Sequence, residues 1–201
     1  MNGAQALIRT LVDAGVDVCF MNPGTSEMHF VAALDDVPEM HGVLALFEGV
    51  ATGAADGYGR MADKPAATLL HLGPGLGNGL ANLHNARKGH TGIVNIVGDH
   101  ATYHKQYDAQ LESDIETVAR NVSTWIRTSN TIDDVASDTA EAVSVASGPP
   151  AQVATLILPA DVCWIEGAEP APAAPAAEPT PLDQDKLAEI AEILLGDEPA
   201  A

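Results

Sequence analysis

Short apolar runs, each long enough for one strand and too short for a helix, recur along the chain with helix-length stretches between them. They are Val16–Met21, Gly42–Phe47, Ala66–His71, Gly92–Val97 and Val153–Leu158, with a shorter run at Thr124–Arg127. A run that is apolar without alternation suits a strand covered on both faces. Strands of this kind, separated by helices, predict an α/β fold: a doubly wound, mainly parallel sheet with helices on both faces. Expected helices are Ala4–Ala14, with Asn2 as cap and Gly15 as stop, and Glu27–Leu34, capped by Ser26. A small-residue helix follows Glu48, and another runs to Lys88 after a glycine-rich loop, Gly73–Gly79. Ile115–Val122 and Ile132–Ala146 complete the set.

The folded unit is expected to span 1–165. Residues 166–181 read as a linker, because Ala168–Pro181 is Ala, Pro and Glu with one Thr and includes five prolines. Residues 182–201 then carry an amphipathic helix, Leu182–Leu195, whose apolar face needs a partner. This segment reads as the start of a truncated central domain. The chain has 201 residues with 9 Lys+Arg against 28 Asp+Glu, a net charge of −19. That excess argues against nucleic acid and anionic membrane surfaces. No signal peptide or membrane-span pattern is present, so a cytoplasmic location is expected. Cys19 and Cys163 lie in apolar runs and read as core residues in a reducing compartment.

In an open parallel sheet, ligands bind outside the carboxyl ends of the strands. Four such ends carry chemistry. Asn22-Pro23-Gly24-Thr25-Ser26 follows the first, Glu48 the second, His71 and the glycine-rich loop the third, and Asp99, His100 and His104 the fourth. Glu48 is either a helix-start acid favoured by the dipole or a desolvated carboxyl suited to proton transfer. The spacing Gly73-x-Gly75-x-Gly77 with Asp99 further on suggests a nucleotide loop, but it departs from GxGxxG and lies on the third strand. The stronger reading is that these glycines let one helix approach another closely. His71 is either a satisfied strand-end side chain or an acid–base group. His84 and His90 read as surface or packing residues, and no His/Cys spacing makes a metal site.

Taken in order, Asn22-Pro23-Gly24-Thr25-Ser26-Glu27, Glu48 with Ala54–Arg60, Lys64-Pro65-Ala66, Gly73-Pro74-Gly75 with Asn78-Gly79, and Val97-Gly98-Asp99 form a pattern. It resembles the N-terminal, pyrimidine-binding domain of thiamine-diphosphate-dependent enzymes, in the acetolactate synthase and benzoylformate decarboxylase group. The resemblance runs from about Asn2 to Trp164. It implies that Glu48 hydrogen-bonds N1′ of the cofactor's aminopyrimidine and so promotes loss of the thiazolium C2 proton. It further implies cofactor contacts from Pro23, Gly24, Gly73, Gly75 and Asn78, an acid–base role for His71, and substrate contacts from Thr25, His71 and His100. The implied substrate is a 2-keto acid. Mg²⁺ would be held by a diphosphate-binding domain, because the family's Gly-Asp-Gly…Asn segment is absent here. FAD, bound structurally by some relatives, is left open. The resemblance also implies a homodimer or homotetramer and a chain inactive by itself. His71 and Thr25 match the decarboxylase-like pattern. Acetolactate synthases usually carry other residues at His71, Gln at Asp99 and Gln at Gly49. A separate pyrimidine-domain subunit of a two-subunit decarboxylase, or a non-catalytic regulatory domain of the same fold, are the alternatives.

Overall fold

In the computed structural model, which describes residues 1–175 and 177–196, six strands form one all-parallel sheet in the order β2-β1-β3-β4-β6-β5. They are β1 (Val18–Asn22), β2 (His41–Leu44), β3 (Ala66–Leu70), β4 (Ile93–Asp99), β5 (Trp125–Thr128) and β6 (Val153–Pro159). The helices are α1 (Gly3–Asp13), α2 (Met28–Ala33), α3 (Glu48–Ala62), α4 (Leu72–Lys88), α5 (Ile115–Ala119), α6 (Ile132–Ser147), α7 (Ala160–Trp164) and α8 (Gln184–Leu195). The doubly wound expectation holds. Helices α1, α2, α6 and α7 pack on one face, and α3, α4 and α5 on the other. Alternate residues serve the two layers: Ala67, Leu69, Val94 and Ile96 face α1 and α6, while Leu70, Ile93 and Val97 face α3 and α4.

Helix α1 starts where its cap predicts. Asn2 Oδ1 accepts from the Gln5 N–H at 2.9 Å, and the Gln5 side chain accepts from the Asn2 N–H at 2.8 Å. Leu7, Ile8 and Leu11 are fully buried, each worth about 1.5–3 kcal/mol of transfer free energy. A polar row crosses the sheet under the opposite helix layer. Thr68 Oγ1 donates to Asn95 Oδ1 at 2.8 Å, Asn95 Nδ2 donates to Thr155 Oγ1 at 2.9 Å, and Ser123 Oγ meets Thr155 Oγ1. All four residues are buried, and the first three are direct register partners.

Two expectations change. The run Gly42–Phe47 is not a buried strand: β2 is the sheet edge, and Leu44 and Leu46 are 67% and 91% exposed. The glycine-rich segment is not a loop: α4 begins at Leu72 and takes in Gly73, Gly75 and Asn78. Pro74 is tolerated there because first-turn N–H groups have no helical partner. Part of the linker runs along the domain surface. Glu166 pairs with Asn2, the Ala171 N–H donates to Thr10 Oγ1 at 3.0 Å, and Ser144 Oγ donates to the Pro175 carbonyl at 3.0 Å. Residues 166–175 thus strap α1 and α6. Helix α8 is exposed along its whole length. Ala176 and the last five residues of the expected central-domain segment lie outside the described residues.

Candidate functional site

The sheet reverses its order of connection between β1 and β3. The chain leaves β1 for one helix layer and β3 for the other, so the two carboxyl ends flank a crevice, the usual ligand position in an open α/β sheet. Asn22 of β1 is the register partner of Leu70 of β3, which sets the segment after β1 beside His71.

Glu48 is the first residue of α3 and is only 8% exposed. It does not cap its own helix. The N-cap is Phe47, without a side-chain cap bond, and Glu48 Oε2 instead accepts from Asn78 Nδ2 of α4 at 2.9 Å. The carboxyl thus lies in the first turn of its own helix, where the dipole favours it, and is oriented by another helix. Its second oxygen faces Gly75: a Cβ there would stand 3.0 Å from Glu48 Oε1 and 3.4 Å from His71 Cβ. Gly75 therefore keeps one carboxylate oxygen clear beside His71. The close packing read from the glycines is also present, since a Cβ at Gly79 would approach Thr52 Cγ2 to 2.9 Å across the α3–α4 contact.

His71 is the N-cap residue of α4, and its side chain is 23% exposed. Its Nδ1 lies 2.7 Å from Glu27 Oε2, which also accepts the Gly24 N–H at 2.7 Å. The expected Ser26 cap of α2 is absent; Thr25–Glu27 form a short 3₁₀ turn, and Glu27 occupies the cap position. Glu27 is 1% exposed, and burial pushes its carboxyl above the usual value of 4.5 while the bonds from Gly24 and His71 oppose that rise. Gly24 is fixed sterically, because a Cβ would fall 2.4 Å from the His71 ring. Gly98 is fixed likewise: its Cβ would fall 1.8 Å from Glu27 Oε1. Sequence reasoning missed Glu27 as a site residue. A glutamate three residues after a glycine turn reads as a surface acid at a helix start, and it is His71 after β3 and Gly98 of β4 that enclose it.

The structure thus brings together Gly24, Glu48, His71, Gly75 and Asn78, with Glu27 added. Gly73 packs against Ser113 rather than against Glu48 or His71. Pro23 and Thr25 lie in the segment after β1, Thr25 exposed. His100 follows β4, its N–H donating to Asp99 Oδ1 at 2.7 Å and its ring edge-on to His104 at 5.3 Å. Asp99 is occupied: Lys105 Nζ bridges Asp99 Oδ2 at 2.6 Å and Glu112 Oε1 at 2.9 Å. Burial works against the Lys105 charge, but these two carboxylates outweigh it and hold its pKa above the ordinary range. With Asp99 so engaged and the glycines inside a helix, the nucleotide-loop reading has no structural counterpart. A cleft of about 660 Å³ is lined by Asp99, Lys105, Glu112 and their neighbours and includes neither Glu48 nor His71. We place the candidate site at the crevice, where the buried carboxyls and the histidine meet. Among the described residues no helix is long and apolar enough to cross a membrane.

Comparison with known proteins accords with this geometry. Residues 1–120 match the family described as thiamine pyrophosphate enzyme, N-terminal TPP binding domain. The chain therefore belongs to the thiamine pyrophosphate enzymes and carries their N-terminal cofactor-binding domain. It is 65% identical over all 201 residues to a Mycobacterium tuberculosis protein named as an acetolactate synthase large subunit, IlvX, and covers 38% of that protein. It is 32% identical over 161 residues to the benzoylformate decarboxylase of Pseudomonas aeruginosa, covering 79% of this chain and 29% of the relative. The chain thus spans less than two fifths of the length of these relatives. A solved thiamine-diphosphate-dependent 4-hydroxybenzoylformate decarboxylase from Rhodococcus jostii shares the fold, with TM-score 0.84 and 23% identity over 96% of this chain and 37% of that one.

Proposed function

We propose that this domain supplies the aminopyrimidine-activating half of a thiamine-diphosphate-dependent enzyme acting on a 2-keto acid. The observation that carries the proposal is Glu48: a buried carboxyl with one oxygen held by Asn78 and the other kept clear by Gly75. The residues present fit the cofactor's pyrimidine end, since the cradle over Gly75 would be filled by any Cβ. When bound, thiamine diphosphate supplies a C2 nucleophile and an electron sink for decarboxylation. Glu48 would hold or release a proton at the pyrimidine's N1′, and its burial withholds the competing water that would weaken that bond. Gly24 leaves room for the His71 ring, Gly75 would leave the Glu48 oxygen accessible, and Asn78 fixes the carboxyl's rotation. His71, which shares Gly75 with Glu48, would hand a proton to the product carbon. That step favours decarboxylation to an aldehyde over carboligation, and so a lyase over a transferase.

Pro23 and Gly73 would take part through the backbone segments after β1 and β3, and Thr25 and His100 would border the substrate. The diphosphate and Mg²⁺ would be held by another domain, so this chain alone would not turn over. Exposed Leu44, Leu46, Phe47 and Val50 beside Glu48 support a second domain or subunit closing over the site, in a homodimer or homotetramer. The bare apolar face of α8 supports its reading as the start of a central domain and counts against a self-standing subunit. The free, buried Cys19 and Cys163 suit a cytoplasmic setting. The test is deuterium exchange at cofactor C2, measured with a diphosphate-binding domain supplied in cis or in trans. Glu48→Gln should slow exchange at least about a hundredfold, the usual size of a lost acid–base group. Exchange at the wild-type rate would show that Glu48 does not activate the cofactor.

A further inference from the structure

Glu27 is buried more completely than Glu48, and nothing in the cofactor chemistry above uses it. A carboxyl at 1% exposure is costly unless its bonds compensate. Only half of this one is bonded. Oε2 takes both contacts, from the Gly24 N–H and to His71 Nδ1, each at 2.7 Å, while Oε1 is buried without a partner against Gly98. The arrangement is rigid on every side. Gly24 and Gly98 each sit where a single methyl group would collide with the His71 ring or with Glu27. A carboxyl kept half-satisfied in so tight a place is there for what Oε2 touches.

The Oε2 contact decides which ring nitrogen of His71 carries the proton. An oxygen that already receives the Gly24 N–H acts as an acceptor, so the matching partner on the ring is an Nδ1–H. The other nitrogen, Nε2, has no hydrogen-bond partner and is not among the buried unpaired atoms, so it reaches the open edge of the crevice. We propose that Glu27 is a positioning residue that holds His71 as the Nδ1–H tautomer, so that Nε2 presents its lone pair to the 2-keto acid side. His71 can then accept a proton at Nε2 and return it there, with Glu27 stabilising the imidazolium between the two events. This rests on the acid–base role proposed for His71. Two other titratable groups face the pair, Glu48, which shares Gly75 with His71, and Cys163 of α7, which feels the Glu27 charge. Cys163 is pushed up by burial and by the Asp161 and Glu27 carboxylates.

The tautomer is read directly by long-range ¹H–¹⁵N correlation of the His71 ring in the ¹⁵N-labelled 201-residue chain. The wild type should show the proton on Nδ1. In Glu27→Met, which fills the same space without an acceptor, it should move wholly or partly to Nε2, the site that free imidazole side chains prefer. A wild-type ring protonated on Nε2, or a Glu27→Met ring unchanged from wild type, overturns the proposal. Should Glu27→Met fail to fold, the wild-type spectrum alone still decides. No cofactor is needed, so this result and the C2 exchange result can fail independently.

Discussion

His29 offers a quantitative test of the packing around the segment after β1. It lies on α2, 2% exposed, with its ring edge-on to Trp164 at 5.4 Å and its Nδ1 buried without a partner. Burial lowers its pKa from 6.5 to about 4, because a charged ring there would lose its hydration without gaining a counter-ion. The unfolded chain therefore binds a proton that the folded chain refuses as pH falls below 6.5. A depressed histidine contributes stability that is fully present above its unfolded pKa and is lost on acidification towards the folded one. With about 1.4 kcal/mol per pH unit, the loss is about 2 kcal/mol at pH 5 and about 3 kcal/mol at pH 4. The many carboxylates also titrate in this range, so the comparison is with His29→Phe, which keeps the aromatic contact and removes the titration. Urea unfolding of both chains at several pH values between 7.5 and 4 isolates the term. The wild type should fall behind the variant by these amounts as pH drops. A difference constant to within about 0.5 kcal/mol, the usual additivity error, would refute the argument.

Two further outcomes follow from the crevice and the sheet edge. Gly24→Ala places a methyl group 2.4 Å from the His71 ring and should destabilise the chain by about 1–3 kcal/mol in urea unfolding; wild-type stability would mean the ring yields freely. Leu46→Asp, on the most exposed apolar residue beside Glu48, should leave the domain's melting temperature nearly unchanged and lower its mass in sedimentation if this edge is an interface.

The sheet was legible because five apolar runs of strand length have one economical arrangement, with both faces covered by helices. What misled at Gly42–Phe47 was the same apolarity arising from another cause. Leu44, Leu46 and Phe47 are exposed on the domain, and a local apolar pattern does not distinguish a buried central strand from an exposed edge. The glycines after β3 carried loop chemistry, yet Pro74 in a first turn and glycines against Glu48 and Thr52 are compatible with helix when the neighbour must come close. Glu48 and His71 stand out in the sequence as side chains at strand ends, and Asn78 through the order of motifs along the chain. Glu27 stands inside one of those motifs but gives no such signal, since its burial comes from His71 and Gly98, both far from it in the sequence. The strap over α1 was hidden for a different reason: its hydrogen bonds use backbone atoms of residues whose side chains signal a linker.

The polar row of Thr68, Asn95 and Thr155 is a ruler for the crevice. His71 follows Thr68 by three residues along one strand's path, and Gly98 follows Asn95 by three along the next. The Glu27 carboxyl is wedged between those two ends, one oxygen on His71 and the other against Gly98. A slip of one residue between β3 and β4 would shift one end by about 3.3 Å and strand polar groups in an apolar layer. That distance exceeds the length of the Glu27–His71 bond itself. The alignment of the Glu27–His71 pair at the rim is thus graduated from the middle of the sheet, by side chains that never reach the crevice.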